Sequence, residues 1–284
     1  MNSRDQVARL NHAFAHSKLI RRALRIGTRR AISRGKIKPG ATIIVVNWNS
    51  LPFLQVAVKA IRHFSPDSNV EILVMDNASS DGSKRWLKAN GVRAIPLPRN
   101  VGHEMALDIG ALISRREFIV SLDVDAFPLS NQWLSILLDP LRNRVAEVSG
   151  VHVCGGFVHP CCLAMRLDRF VAMEHTFMPQ RSGQWAETAD DPDPKAWDTG
   201  WLISLKEPRR NLIERTQVRG PGNIGMVWEP VVYHNFYSTR FGAKIPPSEA
   251  EVDVGVTQQA ASASWEWATD QFLPPLGTHT KGRH

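Results

Sequence analysis

FIVSLDVDAF, residues 118–127, sets an apolar run directly against two carboxylates, Asp123 and Asp125. Five apolar or small residues in a row predict a strand buried on both faces, and the acids then fall just past its end. Carboxylates at i and i+2 of an extended segment point to the same side. Hard oxygen donors in that position suit a divalent cation bridging a diphosphate.

Working outward, the same pattern recurs upstream. Strands are predicted over 42–46, 70–75 and 92–95, with helices over 51–64, 83–89 and 102–114 between them. Apolar strands alternating with helices predict a mostly parallel α/β sheet whose strand ends share one edge, where open sheets of this kind bind ligands. Asn47 follows the first strand, Asp76 the second and Asn100 the third, while Asp123 and Asp125 follow the fourth. One such residue is ordinarily a cap or turn former; polar groups at four successive strand ends point to one ligand touching all of them. Within the run 77–82, Asp81 is expected to cap a helix.

Downstream, a helix is predicted over 133–141, strands over 148–153, 162–165 and 226–233, and a helix from Trp197 after a Pro/Asp-rich loop. Residues 244–284 are rich in Pro, Ser, Ala and Gln and are expected to be a weakly ordered tail.

TIIVVNWNS (42–50), VMDNASSDGS (74–83), RNVGHEMALDIG (99–110) and SLDVDAF (121–127) resemble, in order and spacing, the successive motifs of the family 2 glycosyltransferases. The resemblance covers about residues 41–140. It implies a GT-A fold, a Rossmann-like, mostly parallel central sheet flanked by helices, here carrying an N-terminal basic helical extension. The expected layout is that extension over 1–40, a catalytic domain over 41–243 and the tail. Residues 41–128 would form the nucleotide-sugar-binding half and 129–243 the acceptor half. By the same resemblance, Asn47, Asp76 and Asn100 line the nucleobase and ribose pocket, Asp123 contacts the ribose or the metal-bound phosphate, and Asp125 ligates the cation. His103 and Glu104 stand where the family often has a Gly/Ala-rich continuation.

Inverting enzymes of this fold need a general base at the acceptor hydroxyl. Trp197-Asp198 stands where the family commonly has a Glu-Asp pair, and Asp198 matches its Asp; Asp190, Asp191 and Asp193 compete on the same loop. His234 stands where many members place a further metal ligand, and imidazole suits manganese or magnesium beside a carboxylate. Arg240 is a weaker candidate for a diphosphate contact, and His159 is assigned a structural role. The resemblance therefore implies a Mn2+- or Mg2+-dependent, inverting transfer from a nucleotide-diphosphate sugar to a hydroxyl acceptor such as a lipid-linked or cell-envelope glycan. The alternatives are a catalytically silent nucleotide-sugar or glycan-binding protein of the same fold and a phosphohydrolase. The latter is disfavoured because its Asp motif usually follows the first strand.

Charge completes the reading. Residues 1–40 hold 11 Lys and Arg against one acid, Asp5, while the other 244 residues sum to −2. The overall +8 thus belongs to a basic amphipathic segment, and with no base-stacking or base-reading motif beside it a nucleic-acid partner is not expected. An anionic membrane surface met through residues 1–38 is the sharper expectation, a solvated helix packed on the body the plainer one. No apolar run reaches the roughly 18–20 residues of a membrane span or makes a secretory signal. Three cysteines, Cys154, Cys161 and Cys162, make no disulfide framework. A cytoplasmic chain, peripheral on the cytoplasmic membrane face, is expected.

Overall fold

The computed structural model describes residues 3–153, 156–178, 199–236 and 258–275. The chain begins with the helix α1 (Ser3–Ser33) and then alternates strands and helices: β1 (Lys38–Asn47), α2 (Leu51–Phe64), β2 (Val70–Asp76), α3 (Ser83–Ala89), β3 (Arg93–Pro96), α4 (His103–Ile113) and β4 (Arg116–Leu122). The second half is β5 (Ala126–Pro128), α5 (Trp133–Arg142), β6 (Val148–His152), β7 (Val158–Arg166), α6 (Leu167–Ala172), α7 (Trp201–Lys206), β8 (Arg210–Ile213), β9 (Met226–Trp228), β10 (Val232–His234) and α8 (Gln258–Phe272).

Seven strands form one sheet in the order β3-β2-β1-β4-β7-β6-β8. Strands β3, β2, β1 and β4 are mutually parallel, and β7 enters antiparallel to both β4 and β6. The order reverses between β1 and β4, which makes the carboxyl end of that pair the crevice where such sheets take ligands.

Alternation along β1 explains the two-sided core. Ile43 and Val45 pack with Leu54, Val58 and Ile61 of α2 on one face, and Ile44 and Val46 pack with Ala106, Leu107 and Ala111 of α4 on the other. The approach of α4 requires Gly110, where an added Cβ would come within 2.6 Å of Ile44 Cγ2.

Asp81 caps two helices at once. Its carboxylate accepts from the Leu51 N–H at the start of α2 (2.8 Å) and from the Ser83 N–H at the start of α3 (3.1 Å). Burial works to raise its pKa, but the hydrogen bonds from Ser83 and Leu51 win and hold it below the ordinary 3.8. A folded pKa below the unfolded one adds stability above about pH 4 that is lost as pH falls through the folded value. Asp81→Ala should cost about 1–2 kcal/mol at neutral pH in urea unfolding, with the difference from wild type closing in acid.

Two expectations are corrected. The predicted strand over 226–233 is a hairpin, β9 and β10, because Glu229-Pro230 interrupts it: proline offers no N–H to a ladder, and Val231 N instead donates to Trp228 O. The expected tail contains α8, which buries Ala261, Trp265 and Ala268. Trp265 packs edge-on against Phe53 and Phe127, so an aromatic patch in a polar stretch bought a docked helix. Residues 244–257 and 276–284 lie outside the described residues. Helix α1 is packed on the body, as the plainer of its two expectations has it, with Leu24 and Ile32 against the core shared by α4 and α6. On that packed face Arg25 donates to Phe170 O, Val171 O and His175 O at 3.0, 3.3 and 2.7 Å, capping the carbonyl end of α6.

Candidate active site

At the carboxyl edge of β1 and β2, Asn47 and Asp76 are register partners with fully buried side chains. Asn47 Nδ2 donates to Asp76 Oδ1 (3.2 Å) and Ser79 Oγ (2.9 Å). Two acceptors are left over: Asn47 Oδ1 and Asp76 Oδ2 have no hydrogen-bond partner among the described residues, although Lys84 Nζ stands 3.8 Å from Asp76 Oδ2. Buried acceptors without donors are costly, so a ligand edge bearing N–H groups would relieve them.

Asn100 is placed differently. Its Oδ1 accepts from Asn77 Nδ2 (2.8 Å) and from the Gly102 N–H (2.9 Å), while Asn77 Oδ1 takes the Val101 N–H. Here the side chain builds the turn that enters α4. Asn77, read from sequence only as part of a turn, links the loops after β2 and β3.

After β4 the chain turns, Ala126 N donating to Asp123 O, rather than continuing extended as expected. The carboxylates converge all the same. β5 pairs with β10 in a register that sets Ala126 opposite His234, and Asn235 N donates to Asp125 O. His234 Nε2 thereby comes 3.2 Å from Asp125 Oδ1 and 3.3 Å from Asp123 Oδ2. One ligand atom from each of the three residues lies within 4.8 Å of the other two. Two carboxylates and an imidazole are a fitting donor set for Mn2+ or Mg2+.

His103, which looked like an interruption of the motif, brings Nε2 to 3.4 Å from Asp123 Oδ1. His159 approaches the other side, its ring 6.2 Å from that of His234. Burial pushes the Asp123 carboxyl up, but the hydrogen bond from His103 and the charges of His103, His234 and His159 outweigh it and hold the group well below the usual carboxylate range. Asp123 is therefore an anion at neutral pH. A histidine following a helix-entering glycine was the available sequence signal for His103; His159 shows none, because only the fold brings it near.

Asp198, with Trp197, Asp190, Asp191, Asp193 and Arg240, lies outside the described residues. The feet of the loop that carries Asp198 are described. Gly200 N donates to Phe177 O (2.9 Å), and Thr199 Oγ1 donates to Glu104 Oε1 (3.2 Å), the neighbour of His103. The helix that follows starts at Trp201, after Gly200 with a φ of 78°.

Residues 42–180 match the family model described as glycosyl transferase family 2. Over that stretch, just under half of its length, the chain is similar to the family 2 glycosyltransferases. The match takes in Asn47, Asp76, Asn100, Asp123 and Asp125 and stops short of Asp198 and His234.

Among solved structures, TarS of S. aureus is similar at 12% identity, over 70% of this chain and 37% of that one, with a TM-score of 0.50. The mannosyltransferase PcManGT from Pyrobaculum calidifontis, in complex with GDP-Man and Mn2+, is 17% identical over 58% of each chain, with a TM-score of 0.44. Glucosyl-3-phosphoglycerate synthase from Mycobacterium tuberculosis, in complex with phosphoglyceric acid, is 15% identical over 45% of this chain and 57% of that one, with a TM-score of 0.38. The chain thus spans less than two thirds of the length of each. The TarS likeness shows the fold, the GT-A arrangement of a mostly parallel sheet flanked by helices. None of the curated protein sequences compared matches this chain.

Proposed function

We propose that the protein transfers a sugar, with inversion, from a nucleotide-diphosphate sugar to a hydroxyl of a glycan acceptor. The observation that carries this reading is the convergence of Asp123, Asp125 and His234 within 4.8 Å at the crevice between β1 and β4. Asn47 and Asp76 receive the base, their unmatched acceptor oxygens meeting its N–H groups. Asp123, held ionised, accepts from a ribose hydroxyl. Asn100 shapes the pocket by holding the entry to α4. Asp125 and His234 would hold a Mn2+ or Mg2+ ion, which when bound offsets the charge developing on a departing diphosphate.

On the acceptor side, Asp198 takes the proton of the attacking hydroxyl. The hydroxyl oxygen bonds to the anomeric carbon as the bond from that carbon to the diphosphate oxygen breaks on the opposite face. Asp198→Asn should lower turnover by roughly 10²–10⁴-fold while nucleotide binding stays at the wild-type level, since a positioned base contributes about that much. The assay is nucleoside diphosphate release from a panel of nucleotide sugars with glycan acceptors, with and without manganese, beside calorimetry of nucleotide binding. Wild-type turnover in the Asn variant would remove Asp198 from the role. Manganese-dependent nucleotide binding with no turnover of any donor would make the protein a binding module.

A further inference from the structure

The docked face of α1 leaves the opposite face outward and fixed. Arg21 Nη1 pairs with the buried Asp108 of α4 at 2.9 Å, and Arg25 holds the end of α6. Five basic side chains, Lys18, Arg21, Arg22, Arg25 and Arg29, then line a cleft of about 640 Å³ with one acid, Glu174. Glu174 pairs with Arg29 at 3.0 Å. Between Asp5 and Asp67 the sequence has no Asp or Glu at all, so nothing on α1 beyond its first turns offsets these cations.

Large aliphatic side chains share this outward face. Leu19 and Ile26, seven residues apart and so on one side of the helix, are 62% and 42% exposed, and Ile26 lines the cleft itself. Exposed aliphatics among cations on one helix face match a surface that offers anions and hydrocarbon together. A soluble phosphate would use the cations alone. Nucleic acid would use them with stacking aromatics, and residues 18–33 of α1 contain none.

We infer that the outward face of α1, with its basic cleft, is a docking surface for an anionic phospholipid bilayer. Headgroup phosphates enter the cleft while Leu19 and Ile26 reach the acyl boundary, the helix lying in the plane of the interface. No helix among the described residues is long and apolar enough to cross a membrane, so this contact is one of surface binding. Thr176, which lines the cleft, also donates to Asp108 and begins the segment leading to Asp198. Docking therefore sets the foot of the acceptor loop against the bilayer.

The test is co-sedimentation of the full chain with vesicles of phosphatidylcholine, alone or mixed with phosphatidylglycerol, at low and high salt. Binding should require the anionic lipid and weaken with salt. Lys18→Glu with Arg22→Glu should weaken it roughly tenfold or more, since each cation near an anionic surface adds severalfold. Both residues are exposed, so melting temperature and nucleotide binding should stay at wild-type values. Ile26→Ser should weaken vesicle binding at unchanged charge and provides a second, independent reading. The inference is overturned if the full chain ignores anionic vesicles, or if both variants bind them as the wild type does. It is overturned equally if inorganic pyrophosphate or duplex RNA binds the wild type and vesicles do not.

Discussion

Asp125→Ala should abolish sugar transfer while leaving the protein folded. The Asp125 carboxylate is buried and lies 3.2 Å from His234 Nε2, across a ladder joining residues 109 positions apart. Truncation leaves His234 and Asp123 without the third member of the cluster. Loss of charge stabilisation at a leaving group typically costs about 10²–10³ in kcat, and loss of the bound cation as well should take the rate below detection. The fold should survive because the backbone contacts at this position, Asn235 N to Asp125 O above all, do not use the carboxylate. Removing one of two neighbouring anions also relieves their repulsion. Manganese titration of nucleotide binding checks the assignment: the variant should lose the metal-dependent increment and keep the metal-independent part. Wild-type turnover in Asp125→Ala at saturating manganese would show that the cation is held elsewhere.

Asp108→Ala should cost about 3–5 kcal/mol of stability, the usual result of leaving a buried cation and its neighbours without their anion. Asp108 is fully buried on α4 and takes three donors: Arg21 Nη1 at 2.9 Å, the Phe177 N–H at 2.8 Å and Thr176 Oγ1 at 2.5 Å. They come from two other parts of the chain, Thr176 and Phe177 from the segment after α6 and Arg21 from α1. Urea unfolding should show the midpoint falling with an unchanged slope. Asp108→Asn, whose amide oxygen can still accept from the Phe177 N–H while its Nδ2 donates to the Thr176 hydroxyl, should lose less. A change below about 1 kcal/mol in the Ala variant would mean that the clamp adds little. By the same argument, deleting residues 1–38 removes Arg21, Arg25 and the Leu24 and Ile32 packing. It should therefore destabilise the body rather than merely detach a leader.

Much of the nucleotide half was legible because its signals are local. Helices α2 and α3 have the predicted bounds, and Asn47, Asp76, Asp123 and Asp125 end or follow the strands to which the apolar runs assigned them. Alternating burial on two faces is written directly into runs such as ATIIVV. The misses share one cause, dependence on distant partners. Three-residue strands such as β5 are too short to show a period, and β5 exists because β9 and β10 pair beside it. Helix α8 carries only a weak pattern of its own and takes its place through Trp265 and Ala268. His103 broke a motif in sequence yet reaches Asp123 in space. At Asn100 the sequence did not show that its oxygen would be taken up by the Gly102 N–H and by Asn77, because the turn into α4 that uses it depends on the loop after β2.

The packing of α8 has a consequence for how the protein is made. Tyr233, the neighbour of His234, donates its hydroxyl toward Ser264 and stacks near Trp265 and Phe272, while Phe53 from the second helix closes the other side. The ribosome delivers Asp125 long before it delivers these partners. A nascent chain can therefore build the parallel strands early, but the strand bearing His234 has its support only after residue 272 has emerged. Closing so long a loop is slow relative to local helix formation. The acid cluster should thus be completed late, and a chain arrested before α8 should hold the parallel strands without a finished Asp123, Asp125 and His234 cluster.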